Sequence, residues 1–395
     1  MTRASFDFDT VIDRCKPFAD SIKWNRYAIA PPPGILPLWV ADMDFAAPPS
    51  VIEALQRRVG HGVFGYCQPW PSLIEAVQEH LIDEYGWAIE PEWLVWLPGL
   101  VTGLNIACRS VGQPGDTVFT ATPVYPPFLS APRLSQRRVA TAPLTGQDGR
   151  WSWDTGTVEA ALGSDTKLFL LCHPHNPVGR TWAEDELRAI ANLAEKHDLI
   201  VCSDEIHCGL LLDTDRRHIP FATLGPEIAR RSITLMAPSK TFNIPGLGAA
   251  FAVIPDAALR HSFLDAMQGI VPHVNIMGLT ATEAAYRDSK DWHVALRGYL
   301  RNNRDRLEAA IAKMPGLIMD HVEATYLAWI DARELCRERG LRNPQRFFES
   351  AGVGLSDGAD FGRDNSYEGF ARLNFGCASA TLEEALTRMR VALGY

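Results

Sequence analysis

Five short segments of this 395-residue chain carry residue types that can do chemistry together. Pro98-Gly99-Leu100-Val101-Thr102 turns into a helical pattern, whose first N–H groups can receive an anion. Thr122-Pro123-Val124-Tyr125 offers an aromatic face. His173-Pro174-His175-Asn176-Pro177-Val178-Gly179 offers an amide. Ser203-Asp204-Glu205-Ile206-His207 offers carboxylate and imidazole. Pro238-Ser239-Lys240-Thr241-Phe242-Asn243 offers a primary amine, a nucleophile and base once its proton is lost. Singly, each has an ordinary explanation. A loop lysine is usually solvated, an aspartate can cap a helix, and Asn-Pro is a common turn. What matters is their conjunction and order.

Each segment follows a run with strand character: WLVWLP (93–98), TVFTA (117–121), KLFLLC (167–172), LIVCSD (199–204) and ITLMAP (233–238), with AAFAVI (249–254) beyond. The runs are continuously apolar rather than alternating, the pattern of strands covered on both faces. Helical patterns lie between them. One spans 101–111; another spans 181–197 and is expected to open with Thr181 and Glu184 as a capping box. The alternation predicts an α/β fold with a mainly parallel central sheet, whose ligand site lies at the carboxyl ends of the strands. After about residue 285 a charged helix (291–313) is followed by AGVGLSDG and ARLNFGC, which suggests a smaller α+β lobe. The expected division is an N-terminal segment (1–50) joining the small domain, a large domain (51–285) and a C-terminal small domain (286–395). APPPGILP (30–37) reads as a rigid connector.

Composition narrows the classes. The net charge is −9 with no basic run, so nucleic acid is not an expected partner. No apolar stretch reaches membrane-spanning length and the N-terminus carries no signal pattern, so a cytoplasmic protein is expected. The eight cysteines have no CxxC pair and read as small buried residues in a reducing compartment. His173 and His175 form an HxH, read as a turn; no metal is expected. Arg216 and Arg217 read as a solvated loop. Trp24 and Trp70 either line a substrate entrance or pack.

The blocks PLWVADMDF (37–45), FGYCQP (64–69), TPVYPPF (122–128), CHPHNPVGR (172–180), SDEIHCGL (203–210), HIPFATL (218–224), APSKTFNIPGL (237–247) and RLNFGCASATLEEAL (372–386) resemble, in the same order, the fold-type I pyridoxal-phosphate enzymes of the aspartate aminotransferase superfamily, class I/II. The resemblance covers nearly the whole chain. It is narrower still to the MalY/PatB-type cystathionine β-lyases, which are carbon–sulfur lyases.

The resemblance implies roles. Lys240 would hold pyridoxal 5′-phosphate as a Schiff base and, once displaced, take the substrate Cα proton. Asp204 would pair with the pyridine nitrogen, Asn176 would donate to the phenolic oxygen, and Tyr125 would stack on the ring. His207 would lie near that oxygen or just behind it. The N–H groups of Leu100 and Val101, with Ser239, would hold the phosphate, and Tyr66 would reach it from a neighbouring subunit in a homodimer with shared sites. Arg372, with the backbone of Val40 and Ala41, would bind the substrate carboxylate. Either Tyr125 or Lys240 would protonate the leaving sulfur.

The implied activity is α,β-elimination of L-cystathionine or a related L-cysteine S-conjugate to a thiol, pyruvate and ammonia. An aminotransferase is the alternative within enzymes. A regulatory or binding protein that keeps the fold without turnover is a third reading. Three departures qualify the resemblance. Gly248 stands where many superfamily members place a phosphate-binding arginine, which agrees with the lyase branch. His173 replaces a usual asparagine. Ala378-Ser379 replaces Pro-Arg and is expected to alter the substrate-pocket wall.

Overall fold

The computed structural model describes residues 6–16, 18, 20–28, 34–147 and 149–395. The start of the APPPGILP stretch and the first five residues therefore lie outside the described residues. The central sheet has seven strands, ordered Leu94–Leu97, Ala250–Val253, Ser232–Met236, Ile200–Asp204, Thr166–Cys172, Thr117–Thr122 and Arg138–Pro143. All neighbours are parallel except Ala250–Val253, which is antiparallel to both of its partners. All six strand runs read from sequence are present, within one or two residues.

The continuous apolar runs have the expected cause. Every residue of Thr117–Thr122, Ser232–Met236 and Ala250–Val253 is buried. One face is covered by the Leu100–Ser110 helix with Phe128, Leu129 and Phe263. The other is covered by the Glu184–Lys196 helix with Phe169, Leu171 and Phe221. The start of that second helix differs from the expected capping box. Ala183 is the N-cap, and the Glu186 carboxylate accepts the Ala183 N–H at 2.8 Å. Thr181 instead donates its N–H to Glu323, because an ion pair between Glu323 and buried Arg180 fixes the approach to the helix.

The C-terminal part forms a four-stranded antiparallel sheet, ordered Ile318–Met319, Leu327–Asp331, Phe370–Asn374 and Ser356–Asp357. Its strands alternate. Ala328, Ile330, Ala371 and Leu373 pack with Leu300, Leu307, Leu382 and Met389 of the Lys290–Ile311 and Ser379–Leu393 helices. By the two-residue period, Trp329, Arg372 and Asn374 belong to the opposite face. Leu36–Pro37 runs parallel to Val353–Gly354, so the N-terminal segment is tied to this part of the chain.

Candidate active site

The strand ends of the large sheet converge on a cavity of about 180 Å³. Its lining includes Gly99, Leu100, Val101, Tyr125, Asn176, Asp204, His207, Ser239, Lys240 and Ala41. The structure therefore brings together the five segments singled out from sequence. Tyr66 does not line it; it is wholly exposed, beside exposed Val63 and Phe64. Arg372 and Val40 stand just behind the lining, linked to it through Asn176 and the 39–45 segment.

Lys240 donates from Nζ to the Ala41 carbonyl at 2.5 Å. Burial lowers its amine to about 8, with Asp42 opposing that change, Arg372 reinforcing it and Asp204 opposing it. Asp204 ends the Ile200–Asp204 strand and accepts the Ile206 N–H at 3.2 Å. Burial raises its carboxyl to about 7, an effect the Ile206 N–H opposes. A buried carboxyl with one weak donor is a strong acceptor for a cationic N–H. His207 is lowered to about 3, chiefly by burial, and is therefore neutral; its buried Nδ1 has no partner.

Asn176 is oriented by Arg372, whose Nη1 donates to Oδ1 at 3.0 Å. An arginine only donates, so the amide oxygen must face it and the NH₂ group is left to donate elsewhere. Arg372 also donates from Nη2 to the Trp39 carbonyl at 2.9 Å and to Ser356 Oγ at 3.3 Å. Its Nε is buried with no partner, and its guanidinium lies 4.9 Å from the centre of the Phe361 ring. At the other end, the Leu100–Ser110 helix starts at Gly99 with no side-chain cap, so its first N–H groups lack intrahelical acceptors. Gly248, also in the lining, has φ +57°, and a Cβ there would stand 3.2 Å from the Pro98 carbonyl. A side chain at this position would be strained, so this backbone favours glycine.

Sequence reading placed the backbone of Val40 and Ala41 at the site but missed the side chains that hold this strap. From Trp39 to Phe45, side chains from elsewhere grip nearly every carbonyl. Arg372 holds Trp39, Asn374 holds Val40 and Asp42, and Tyr326 and Lys240 hold Ala41. Asn243, three residues after Lys240, donates to the Met43 and Phe45 carbonyls and accepts the Met43 N–H. Fully buried Lys23 donates to Asp44 at 2.7 Å and to the Asp42 carbonyl at 3.2 Å. Trp24 and Arg14 also donate to Asp44. Trp24 is therefore a strap contact, and Trp70 bonds to Glu283. The two-residue strand period from Arg372 pointed to Asn374; nothing local pointed to Tyr326 or Lys23.

His173 stacks on His218 at 4.4 Å, and His175 contacts the Pro123 carbonyl, so both are packed beneath the strand ends. Arg216 reaches Glu323 at 3.5 Å and does not lie free in a solvated loop. Ala378 and Ser379 are not among the residues lining this cavity. Ser379 bonds to Tyr299 and Asn303, tying the last helix to Lys290–Ile311.

The model of the aminotransferase class I and II family matches residues 33–389, and the chain belongs to that family. Within it, the chain is 38% identical to cystathionine beta-lyase PatB of Bacillus subtilis (strain 168), over 94% of this chain and 96% of the relative. It is similar to the solved structure of OvoB, with TM-score 0.93 and 47% identity, covering 98% of this chain and 99% of that one. It is likewise similar to the PLP-bound C-S lyase of Staphylococcus hominis, with TM-score 0.91 and 30% identity over 98% and 99%.

Proposed function

We propose that this chain is a pyridoxal-phosphate-dependent carbon–sulfur β-lyase acting on L-cystathionine or a related L-cysteine S-conjugate. The carrying observation is the part-buried Lys240 amine sharing one cavity with Asp204 and Asn176, whose far end is an uncapped helix N-terminus. Likeness over full length to a cystathionine β-lyase and a C-S lyase supports the reaction type.

The residues fit the cofactor. The uncapped N–H groups of Leu100 and Val101, with Ser239, suit a phosphate. Asp204 suits a protonated pyridine nitrogen, the free Asn176 amide suits the phenolic oxygen, and Tyr125 supplies a ring face. When bound, pyridoxal phosphate supplies an electron sink for the charge left by loss of the substrate Cα proton. The substrate carboxylate is held by Arg372, whose Nε is unclaimed, beside the strap backbone at Val40 and Ala41. Lys240 takes the Cα proton at Nζ; an amine near 8 is free of its own proton often enough to do so at neutral pH. The Cβ–S bond breaks with its electrons on sulfur, and Lys240 or Tyr125 returns a proton to make the thiol. With one water consumed, the remaining three-carbon unit leaves as pyruvate and ammonia. Burial raises the Tyr125 hydroxyl, so it stays protonated and able to donate.

Exposed Val59, Val63, Phe64 and Tyr66 form an apolar stretch suited to a homodimer in which Tyr66 serves the partner's phosphate site. Eight free cysteines, six of them buried, fit a cytoplasmic setting. No described helix is long and apolar enough to cross a membrane.

The test is incubation with pyridoxal phosphate, borohydride reduction and peptide mapping. The mass addition is expected on the peptide containing Lys240, and Lys240→Ala should lose both the addition and pyruvate formation from L-cystathionine. Addition at another lysine would overturn the site. Turnover only with an added keto acid would replace the lyase with an aminotransferase.

A further inference from the structure

The strap carbonyl of Ala41 receives two donors at once. Lys240 Nζ lies at 2.5 Å and the Tyr326 hydroxyl at 2.9 Å. Tyr326 is almost wholly buried, stands one residue before the Leu327–Asp331 strand, and meets the His207 ring edge-on at 6.0 Å. The carbonyl itself is fixed on both sides, because Asn374 holds the carbonyls of Val40 and Asp42 at 2.5 and 2.7 Å. A carbonyl oxygen has two lone pairs, so these two donors fill it.

We propose that Tyr326 is a positioning residue for Lys240: by fixing and half-occupying the Ala41 carbonyl, it aims the lysine lone pair at the reacting carbon whenever the amine is not covalently engaged. The inference rests on the proton-transfer role given to Lys240 above. A neutral amine that donates one N–H to Ala41 has its lone pair directed away from the strap. When that lone pair takes the Cα proton, a new N–H forms and the C–H electrons stay with the substrate. The resulting ammonium keeps the same acceptor. Because the Tyr326 hydroxyl already draws on the carbonyl, the acceptor holds the ammonium less tightly, and the proton is more readily passed on to sulfur. Tyr326 is not itself a proton carrier, since it does not line the cavity and its hydroxyl, kept protonated by burial, is engaged with the Ala41 carbonyl. The other charged or titratable groups facing Lys240 are Asp42 on the strap, Asp204 and His207 at the strand end, Arg372 from the small sheet, and Tyr125.

Tyr326→Phe removes one hydroxyl and keeps the buried ring. In the holoprotein, kcat is expected to fall roughly tenfold with KM nearly unchanged, and the isotope effect with α-deuterated substrate is expected to rise. The decisive readout needs no cofactor: acetylation of Lys240 by acetic anhydride, followed by mass spectrometry across pH 6–10 in the cofactor-free chain. Without Tyr326 the full carbonyl dipole is available to the ammonium, so the midpoint should move upward. A thermal melt matching the parent confirms that folding is intact. An unchanged or lowered midpoint, with kcat and isotope effect unaltered, overturns the inference. Failure of the parent holoprotein to eliminate would strike the functional reading alone, because the acetylation profile is measured independently of turnover.

Discussion

Lys240 should cost the fold stability because of the property that makes it useful. Its amine drops from the ordinary 10.5 to about 8, chiefly through burial. The unfolded chain keeps the ordinary value, so folding opposes the ammonium form. Below pH 8 the penalty is fully present; between 8 and 10.5 it fades as the folded amine sheds its proton; above 10.5 it is gone. At about 1.4 kcal/mol per pH unit the drop corresponds to about 3 kcal/mol. The side chain is only part-buried and opens on the cavity, so solvent screening reduces this to about 2 kcal/mol. Lys240→Met keeps the chain length and removes the charge, at the loss of one hydrogen bond to Ala41, about 1 kcal/mol. The cofactor-free variant is therefore expected to be about 1 kcal/mol more stable than the parent at pH 7. By pH 9.5 more than half of the penalty has lapsed, and the advantage should vanish. Urea unfolding of both cofactor-free proteins at the two pH values measures this. A variant less stable at pH 7, or a gap that does not change with pH, would refute the burial argument.

Other outcomes follow from the strap and the cavity floor. Asn243→Ala removes three strap bonds at a residue with φ +53°, so a loss of about 2–4 kcal/mol in urea unfolding and a raised KM are expected. Lys23→Met strips one donor from Asp44, which keeps Arg14 and Trp24, so about 2 kcal/mol should be lost, less than for a carboxylate left alone. Gly248→Ala meets both the left-handed backbone and the Pro98 carbonyl. It should cost about 1–2 kcal/mol and weaken cofactor affinity in equilibrium dialysis. If Tyr66 serves a partner's site, sedimentation should give a dimer, and Tyr66→Ala should weaken cofactor binding without changing the unfolding midpoint of the cofactor-free chain.

The large sheet was legible because strands covered on both faces must be apolar throughout, as in KLFLLC and ITLMAP. The residues after those strands were legible because parallel strands deliver their ends to one edge. The α+β character of the C-terminal part showed in its change of pattern. Three features escaped. The Thr181–Glu184 cap was displaced by a tertiary bond from Glu323, which no local pattern records. Ser379 ties the last helix to Lys290–Ile311, a bond that depends on where that helix lies. The hold on the strap was invisible beyond Val40 and Ala41 because it acts through backbone carbonyls. Their donors (Lys23, Asn243, Tyr326, Asn374) are spread over some 350 positions of sequence.

The most direct measurement follows both products when L-cystathionine meets the pyridoxal-phosphate-loaded protein with no keto acid present. Pyruvate and homocysteine thiol should appear together in equal amounts over many turnovers, and Lys240→Ala should abolish both. A single turnover that stops until a keto acid is added, or pyruvate formed without thiol, would contradict carbon–sulfur elimination at Lys240.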